Sequence, residues 1–170
     1  PQIAQPFLDQ VHHETGESCS LAILDGQEVI YIARTTSRRI MNVSLNIGSR
    51  LPSFCTSLGR ALLAHLSPEE LRDHLSKESY QPLTANTLTT ISELTKEINQ
   101  VAEDGYALVD QELEVGLRSL SVPVKNQLGS VIAAMNVGVS ASRISNAHMR
   151  QIILPVLKNA AKLLSEEISL

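Results

Sequence analysis

The 170-residue sequence predicts an α+β fold: a largely antiparallel sheet with helices packed on it, of GAF/profilin-like layout. Two observations predict it. Helical and strand patterns follow one another as helix, hairpin, strand, helices, hairpin, helix, without the strand–helix–strand alternation that a parallel sheet needs. A hydrophobic fraction of 43% over this length is enough apolar side chain for a full core, and 170 residues suits one domain.

The elements follow in order. Phe7 to His13 reads as a short helix stopped by Gly16. Two apolar runs, Cys19 to Leu24 and Val29 to Ala33, flank Asp25-Gly26, a dipeptide that supplies the positive φ of a tight hairpin turn. Residues Arg39 to Ile47 place Ile40, Val43, Leu45 and Ile47 among polar neighbours, as a half-buried strand does; Gly48 should end it and Leu51-Pro52 should turn the chain. A helix over Thr56 to Leu66 carries Leu58, Leu62, Leu63 and Leu66 on one side. Ser67-Pro68-Glu69-Glu70 opens the next helix with an N-cap, a proline at the first helical position and a capping-box glutamate, and Leu71 and Leu75 face its core. Tyr80 to Thr90 reads as loop. Ile91, Leu94, Ile98 and Val101 mark a helix that Gly105 stops. Strands are expected at Tyr106 to Gln111, Leu117 to Val124 and Ser130 to Val139, the last two joined through Asn126 to Gly129. The final helix, Asn146 to Ile168, has the stripe Ile152, Ile153, Val156, Leu157, Ala160 and Leu164, and Pro155 should kink it.

Composition narrows the function. Charged residues are 19%, below the ~25% of soluble domains, so much of the chain should be interior or interface. The net charge is −4, and the 14 Lys and Arg are scattered, with Arg38-Arg39 their only adjacent pair. A duplex-binding surface needs a basic face, so the chain by itself should not hold DNA. Three per cent aromatic residues and no Trp argue against a base-stacking surface. Cys19 and Cys55 form neither a disulfide framework nor a zinc signature. No leader and no membrane-length apolar run is visible, so a reducing cytoplasm is expected.

Few residues suggest catalysis. His12-His13 point in different directions from a helix, and His65, His74 and His148 have no ligand at metal spacing, so no metal or other cofactor is expected. Cys55-Thr56-Ser57 stands before a helix, where a thiol can be activated. No histidine lies at a spacing that supplies a base, and Cys55 replaces the first glycine of a G-x-S-x-G elbow. A hydrolase using Cys55 is therefore the lesser alternative, beside a domain that only assembles. The same helix start offers free N–H groups at Thr56, Ser57 and Leu58 to a ligand carboxylate. Asp110, Glu112 and Glu114 are three acids in five residues; a solvated strand end is expected, with Asp110 the one facing inward.

Three stretches together resemble one family: IGSRLPSFCTSLGRALLAHLSPEEL (Ile47 to Leu71), EDGYALVDQELEVGLRSLSVPV (Glu103 to Val124) and LGSVIAAMNVGVSASR (Leu128 to Arg143). In order and over nearly the whole chain, they resemble the effector-binding domain of the IclR-type transcription regulators, with residues nearest the branch that governs aromatic-acid catabolism through β-ketoadipate. The resemblance implies helices on both faces of the sheet and a pocket between sheet and helices. It implies one domain over 1–170, a winged helix-turn-helix domain that precedes such domains and is not seen here, and self-association as a dimer or tetramer. Pro1 to Val11 would be the tail of the linker helix. Carried over by position, the effector pocket comprises Ile40, Val43 and Leu51, Ser57 and Leu58 beside Thr56, then Asp110, Leu117 and Ser119, and finally Asn136 and Gly138. The last two depart from the small hydroxylated residues common in the family. The effector is expected to be an aromatic acid or related carboxylate, with Arg39, Arg50 or Arg118 available to a second acid group.

Overall fold

The computed structural model describes residues 2–35 and 45–168. Helix α1 (Gln5–Thr15) ends at Gly16, whose φ of 72° closes the left-handed cap. It leads into β1 (Ser18–Asp25) and β2 (Glu28–Arg34), joined by the tight turn at Gly26-Gln27. After 36–44 come β3 (Arg50–Pro52), α2 (Ser57–Leu63), α3 (Pro68–Ser76) and α4 (Ile91–Asp104), then β4 (Ala107–Asp110), β5 (Leu117–Lys125) and β6 (Val131–Ser140). The strands form one sheet in the order β3-β2-β1-β6-β5-β4. Every pairing is antiparallel, so the α+β reading holds.

The sheet separates two apolar layers. On one face α1 and the C-terminal helix bring Leu8, Val11, Ile153, Leu157 and Leu164 against Leu21, Leu120, Val122, Met135 and Val137. On the other, Leu58, Ala61 and Leu62 of α2 and Val101 of α4 pack on Ala22, Val29, Tyr31, Ala107 and Ala134. On β1 and β6 the larger residues, Leu21, Met135 and Val137, thus go to the α1 side and the smaller Ala22 and Ala134 to the α2 side, while β2 turns Val29 and Tyr31 toward α2. The segment after β3 passes close against α2: a Cβ on Gly59 would lie 2.0 Å from the Ser53 carbonyl oxygen, so only glycine fits there. A third cluster, with Phe54, Leu63, Leu75, Leu94 and Ile98, fastens α2, α3 and α4 together.

Three expectations change. Leu51-Pro52 is not a turn but part of the edge strand β3, where Val29 pairs Leu51 and Glu28 pairs Pro52; proline is tolerated because an edge needs no further N–H. The strand expected over Arg39 to Ile47 lies mostly outside the described residues, and its visible end at Ile47-Gly48 is a turn. The last helix is not a plain kink. It runs as α5 (Asn146–His148), a π-helical turn at Met149–Ile153 and α6 (Leu154–Glu167). The Leu154 N–H bonds back five residues to Met149 O, just before Pro155. The extra residue in that turn shifts the helical phase. Met149 is therefore buried, while Ile152 of the expected stripe is 56% exposed.

Candidate functional site

One end of the α2 face stays open. Along this face the strands carry small residues in two cross-strand rows. Ser18 of β1 pairs with Gly138 of β6, which pairs with Ser119 of β5. Ser20 pairs with Asn136, which pairs with Ser121. Such side chains cannot fill the gap beneath α2, and a cavity enclosing about 660 Å³ of empty space, its mouth included, results. Its walls are apolar, with Leu45, Leu51, Leu58, Val109, Leu113 and Leu117 among them, and its floor is polar.

The structure brings together most of the residues expected at the site. Leu51, Thr56, Ser57, Leu58, Leu117, Ser119, Asn136 and Gly138 all line the cavity. Ile40 and Val43 lie outside the described residues. Asp110 does not line it, because strand alternation turns Val109 into the cavity and Asp110 to the opposite face. There Asp110 meets Arg118 at 3.0 Å. Its partial burial raises its pKa, but hydrogen bonds from Gln111 and Asn146 and the adjacent Arg118 outweigh that and hold the carboxyl below its ordinary range. Of the arginines weighed for an acid group, Arg118 is thus engaged, and Arg50 binds Asp25 and Glu28 in solvent. Arg39 is not among the described residues.

The start of α2 borders the cavity, but its hydroxyls are largely spent. Thr56 Oγ1 accepts from the Gly59 N–H and donates to Pro52 O, the work of an N-cap. Ser119 Oγ donates to Ser57 Oγ at 2.7 Å, and Ser57 also bonds Ser121 Oγ at 2.7 Å, a hydroxyl chain that ties α2 to β5.

The cation at the cavity is Arg34, which strand alternation alone hides. From Tyr31, a period of two puts Arg34 on the other face. The β1–β2 register, however, pairs Ala22 with Tyr31 and Leu21 with Ala33, leaving Ile32 as a bulge. One extra residue reverses the parity, and Arg34 emerges on the cavity side opposite Ser20. Its guanidinium carbon lies 5.8 Å from the centroid of the Tyr31 ring, and its Nη1 reaches Ser20 Oγ at 3.4 Å. Its Nε is buried without a hydrogen-bond partner. Among the described residues no carboxylate meets it. Burial pushes the Tyr31 phenol up to about 12, with the charge of Arg34 and a hydrogen bond from Asn136 opposing.

The acids read as a solvated strand end contain a buried one. Glu112, 8% exposed, accepts from Nη1 and Nη2 of the fully buried Arg60 at 2.6 Å each, and Arg60 Nε donates to Phe54 O at 3.0 Å. Gln111, at φ 59°, and the adjoining turn set Glu112 inward. This pair joins α2 to the loop 111–116, so two walls of the cavity, Leu58 and Leu113, are held at a fixed separation. Cys55 also lines the cavity, but burial pushes its thiol up to about 12. Among the described residues no group of His, Cys, Asp and Glu could hold a metal ion.

An antiparallel sheet between helices, with a cavity of apolar walls and a polar floor on one face, defines an α+β module of the kind that encloses small molecules. Comparison with known proteins makes the class specific. The family model described as bacterial transcriptional regulator IclR C-terminal matches residues 1–166. The chain is 40% identical over 160 residues to the Pca regulon regulatory protein of Pseudomonas putida, covering 94% of this chain and 55% of that protein. It is 33% identical over 166 residues to the Pca operon regulatory protein of Acinetobacter baylyi, covering 95% and 60%. The inducer-binding domain of PobR from Acinetobacter, solved as a double mutant with 3-hydroxybenzoic acid, superimposes with a TM-score of 0.92 at 31% identity, covering 99% of this chain and 98% of that one. The chain belongs to the IclR C-terminal family of bacterial transcriptional regulators. It spans little more than half the length of the two curated relatives.

Proposed function

We propose that this domain senses a small carboxylate, an aromatic acid or a close relative of one, in the cavity beneath α2. One observation carries the reading: the Arg34 guanidinium lines an otherwise apolar-walled cavity, has a buried nitrogen without a partner and meets no carboxylate of the described residues. A ligand carboxylate supplies what is missing, and Leu51, Leu58, Val109 and Leu117 pack its body. The similar PobR domain holding 3-hydroxybenzoic acid supports the same ligand class. Binding would shift the balance between conformations or assemblies of a regulator, and so its affinity for DNA, by the difference in ligand affinity between the states. DNA contact would fall to a part of the protein outside this chain, in keeping with the net charge of −4. Self-association of the domain and a cytoplasmic setting fit a regulator of this family; no helix among the described residues is long and apolar enough to cross a membrane.

Catalysis by Cys55 finds no support. A thiol pushed to about 12 holds almost no thiolate near neutral pH. The reading is tested by calorimetric titration of the domain and of Arg34→Gln with 3-hydroxybenzoate. A charge-assisted bond lost at a buried site costs about 1.5–3 kcal/mol, so affinity should fall roughly 10- to 100-fold with the melting temperature little changed. Equal affinity in the two proteins refutes the assignment of Arg34.

A further inference from the structure

Resting on the reading of the cavity as a carboxylate site, we infer that helix α1, on the opposite face of the sheet, responds to occupancy of the cavity, and that Gln5 is the residue that couples the two. Arg34 is the last residue of β2. Its side chain lines the cavity, but its backbone carbonyl is met from the other layer: Gln5 Nε2 of α1 donates to Arg34 O at 3.4 Å. β3 pairs with Glu28 to Ile30 and does not reach that carbonyl. One residue therefore carries the cavity's cation at one end and a tie to α1 at the other. Gln5 itself does not line the cavity, so its link to a ligand there is Arg34.

Both partners of this bond have room to move. The unpaired Ile32 interrupts the β1–β2 ladder just before Arg34. Beyond it Thr35 fastens the strand end to β1, its N–H donating to Cys19 O and its hydroxyl accepting from the Cys19 N–H. The strand end is thus hinged along one edge, and Gln5 meets it along the other. Helix α1 begins without a side-chain cap, since Ala4 offers none, and no acidic residue stands in the first turn. Helix ends lacking such partners are the first to fray. The last turn is better held: the Gly16 N–H donates to His12 O, and His12 Nδ1 donates to Glu17 O at 2.8 Å. Burial of Ala4 and Leu8 and the bond to Arg34 tie the first turn to the sheet. A guanidinium that grips a carboxylate steadies the carbonyl of the same residue, and Gln5 then donates to a fixed acceptor. The coupling is bounded by that one bond, about two- to tenfold. It is also reciprocal: an occupied cavity steadies the first turn, and a steadied first turn tightens binding by the same factor.

The experiment follows amide hydrogen exchange by NMR in the domain alone and saturated with 3-hydroxybenzoate, whose binding is measured by calorimetry. It is run on the native protein, Gln5→Met and Asp9→Ala. Gln5→Met removes the donor and keeps the length of the side chain. Asp9→Ala removes the other partner of Gln5, 3.0 Å away on α1, and leaves the bond to Arg34 alone. Helix α3, fastened to α2 and α4, serves as the internal reference. In the native protein and in Asp9→Ala, saturation should slow the amides of Leu8 to Val11 at least about threefold more than those of α3. In Gln5→Met that excess should vanish, and the Kd should rise at least about twofold although the substitution lies on the far side of the sheet. Equal protection of α1 and α3 in the native protein, an excess that persists in Gln5→Met or is lost in Asp9→Ala, or an unchanged Kd in Gln5→Met overturns the role of Gln5 and leaves the carboxylate site standing. If 3-hydroxybenzoate does not bind the native domain, the carboxylate reading falls and this inference with it.

Discussion

Filling the cavity from its floor should separate stability from binding. Gly138 is the position for it. It lies between Ser18 and Ser119 in the sheet, and a Cβ built there touches nothing within 4 Å. Gly138→Val adds three carbons, the first of them to space with no protein atom within 4 Å. Two terms favour the variant. Glycine in a strand interior is worse than a residue with a side chain by about 0.5–1 kcal/mol, and valine is well suited to a strand. Burying a valine side chain contributes up to about 1.5 kcal/mol, less here because the cavity has a mouth. The net expectation is a gain of roughly 1–2 kcal/mol, which for a chain of this length raises the melting temperature by about 2–8 °C. The two methyl groups would meanwhile occupy the ground between Arg34 and the Ser57 chain. Affinity for 3-hydroxybenzoate should drop at least about tenfold, as expected when a buried site loses a kcal/mol or two of packing. Scanning calorimetry gives the first number and isothermal titration the second. A melting temperature lowered by several degrees shows that the space is not open. A raised melting temperature with native affinity places the ligand somewhere else.

The remaining predictions concern what holds the cavity walls. Glu112→Leu strands the fully buried Arg60 without its carboxylate and should cost about 3–5 kcal/mol in chemical denaturation; pairing it with Arg60→Met should recover most of that, and a double variant no more stable than the single one would show that the loss is not electrostatic. Cys55 should resist iodoacetamide in the native domain at pH 8 and react freely once unfolded, since burial raises its thiol to about 12 from an ordinary 9.0; rapid native alkylation would revive a nucleophilic role. Because the folded value is the raised one, its contribution to stability is whole below pH 9 and is lost as pH rises from there toward 12, with the buried Cys19 shifted the same way. Stability that stays flat between pH 9 and 11 would contradict both shifts.

Much of the fold was legible because the signals for it are local. Asp25-Gly26 needs a turn wherever it occurs between apolar runs, and the observed turn is there. Ser67 and Glu70 make the capping box that their spacing announces. Gly105 caps α4 at φ 77°. The errors came where a residue answers to a distant partner. Pro52 reads as a turn until β2 is seen beside it as an edge. The π-helical turn before Pro155 has no sequence pattern of its own: a helical wheel drawn through Ile152 presumes four residues per hydrogen-bonded turn, and Leu154 spans five.

The site divides along the same line. Ser119 and Leu117 face one way because a strand alternates, so both were accessible to pattern; the same rule, counted from Ser119 across to Val109, argues against Asp110 once the β4–β5 pairing is known. Arg34 was not accessible. The information that turns it inward is a single unpaired residue, Ile32, in a register that exists only when β1 and β2 are laid side by side. Glu112 was lost in the same manner, hidden in an acidic run whose burial depends on Arg60 from another element. Both are charged residues, Glu112 read as part of a solvated strand end and Arg34 not singled out at all. That assignment is sound for isolated charges, which are costly to bury, and it fails in the two circumstances where the cost is met. A partner inside the fold meets it for Glu112. For Arg34 no such partner stands among the described residues, and a cation at a cavity that meets no carboxylate of theirs is the observation on which the proposed carboxylate site rests.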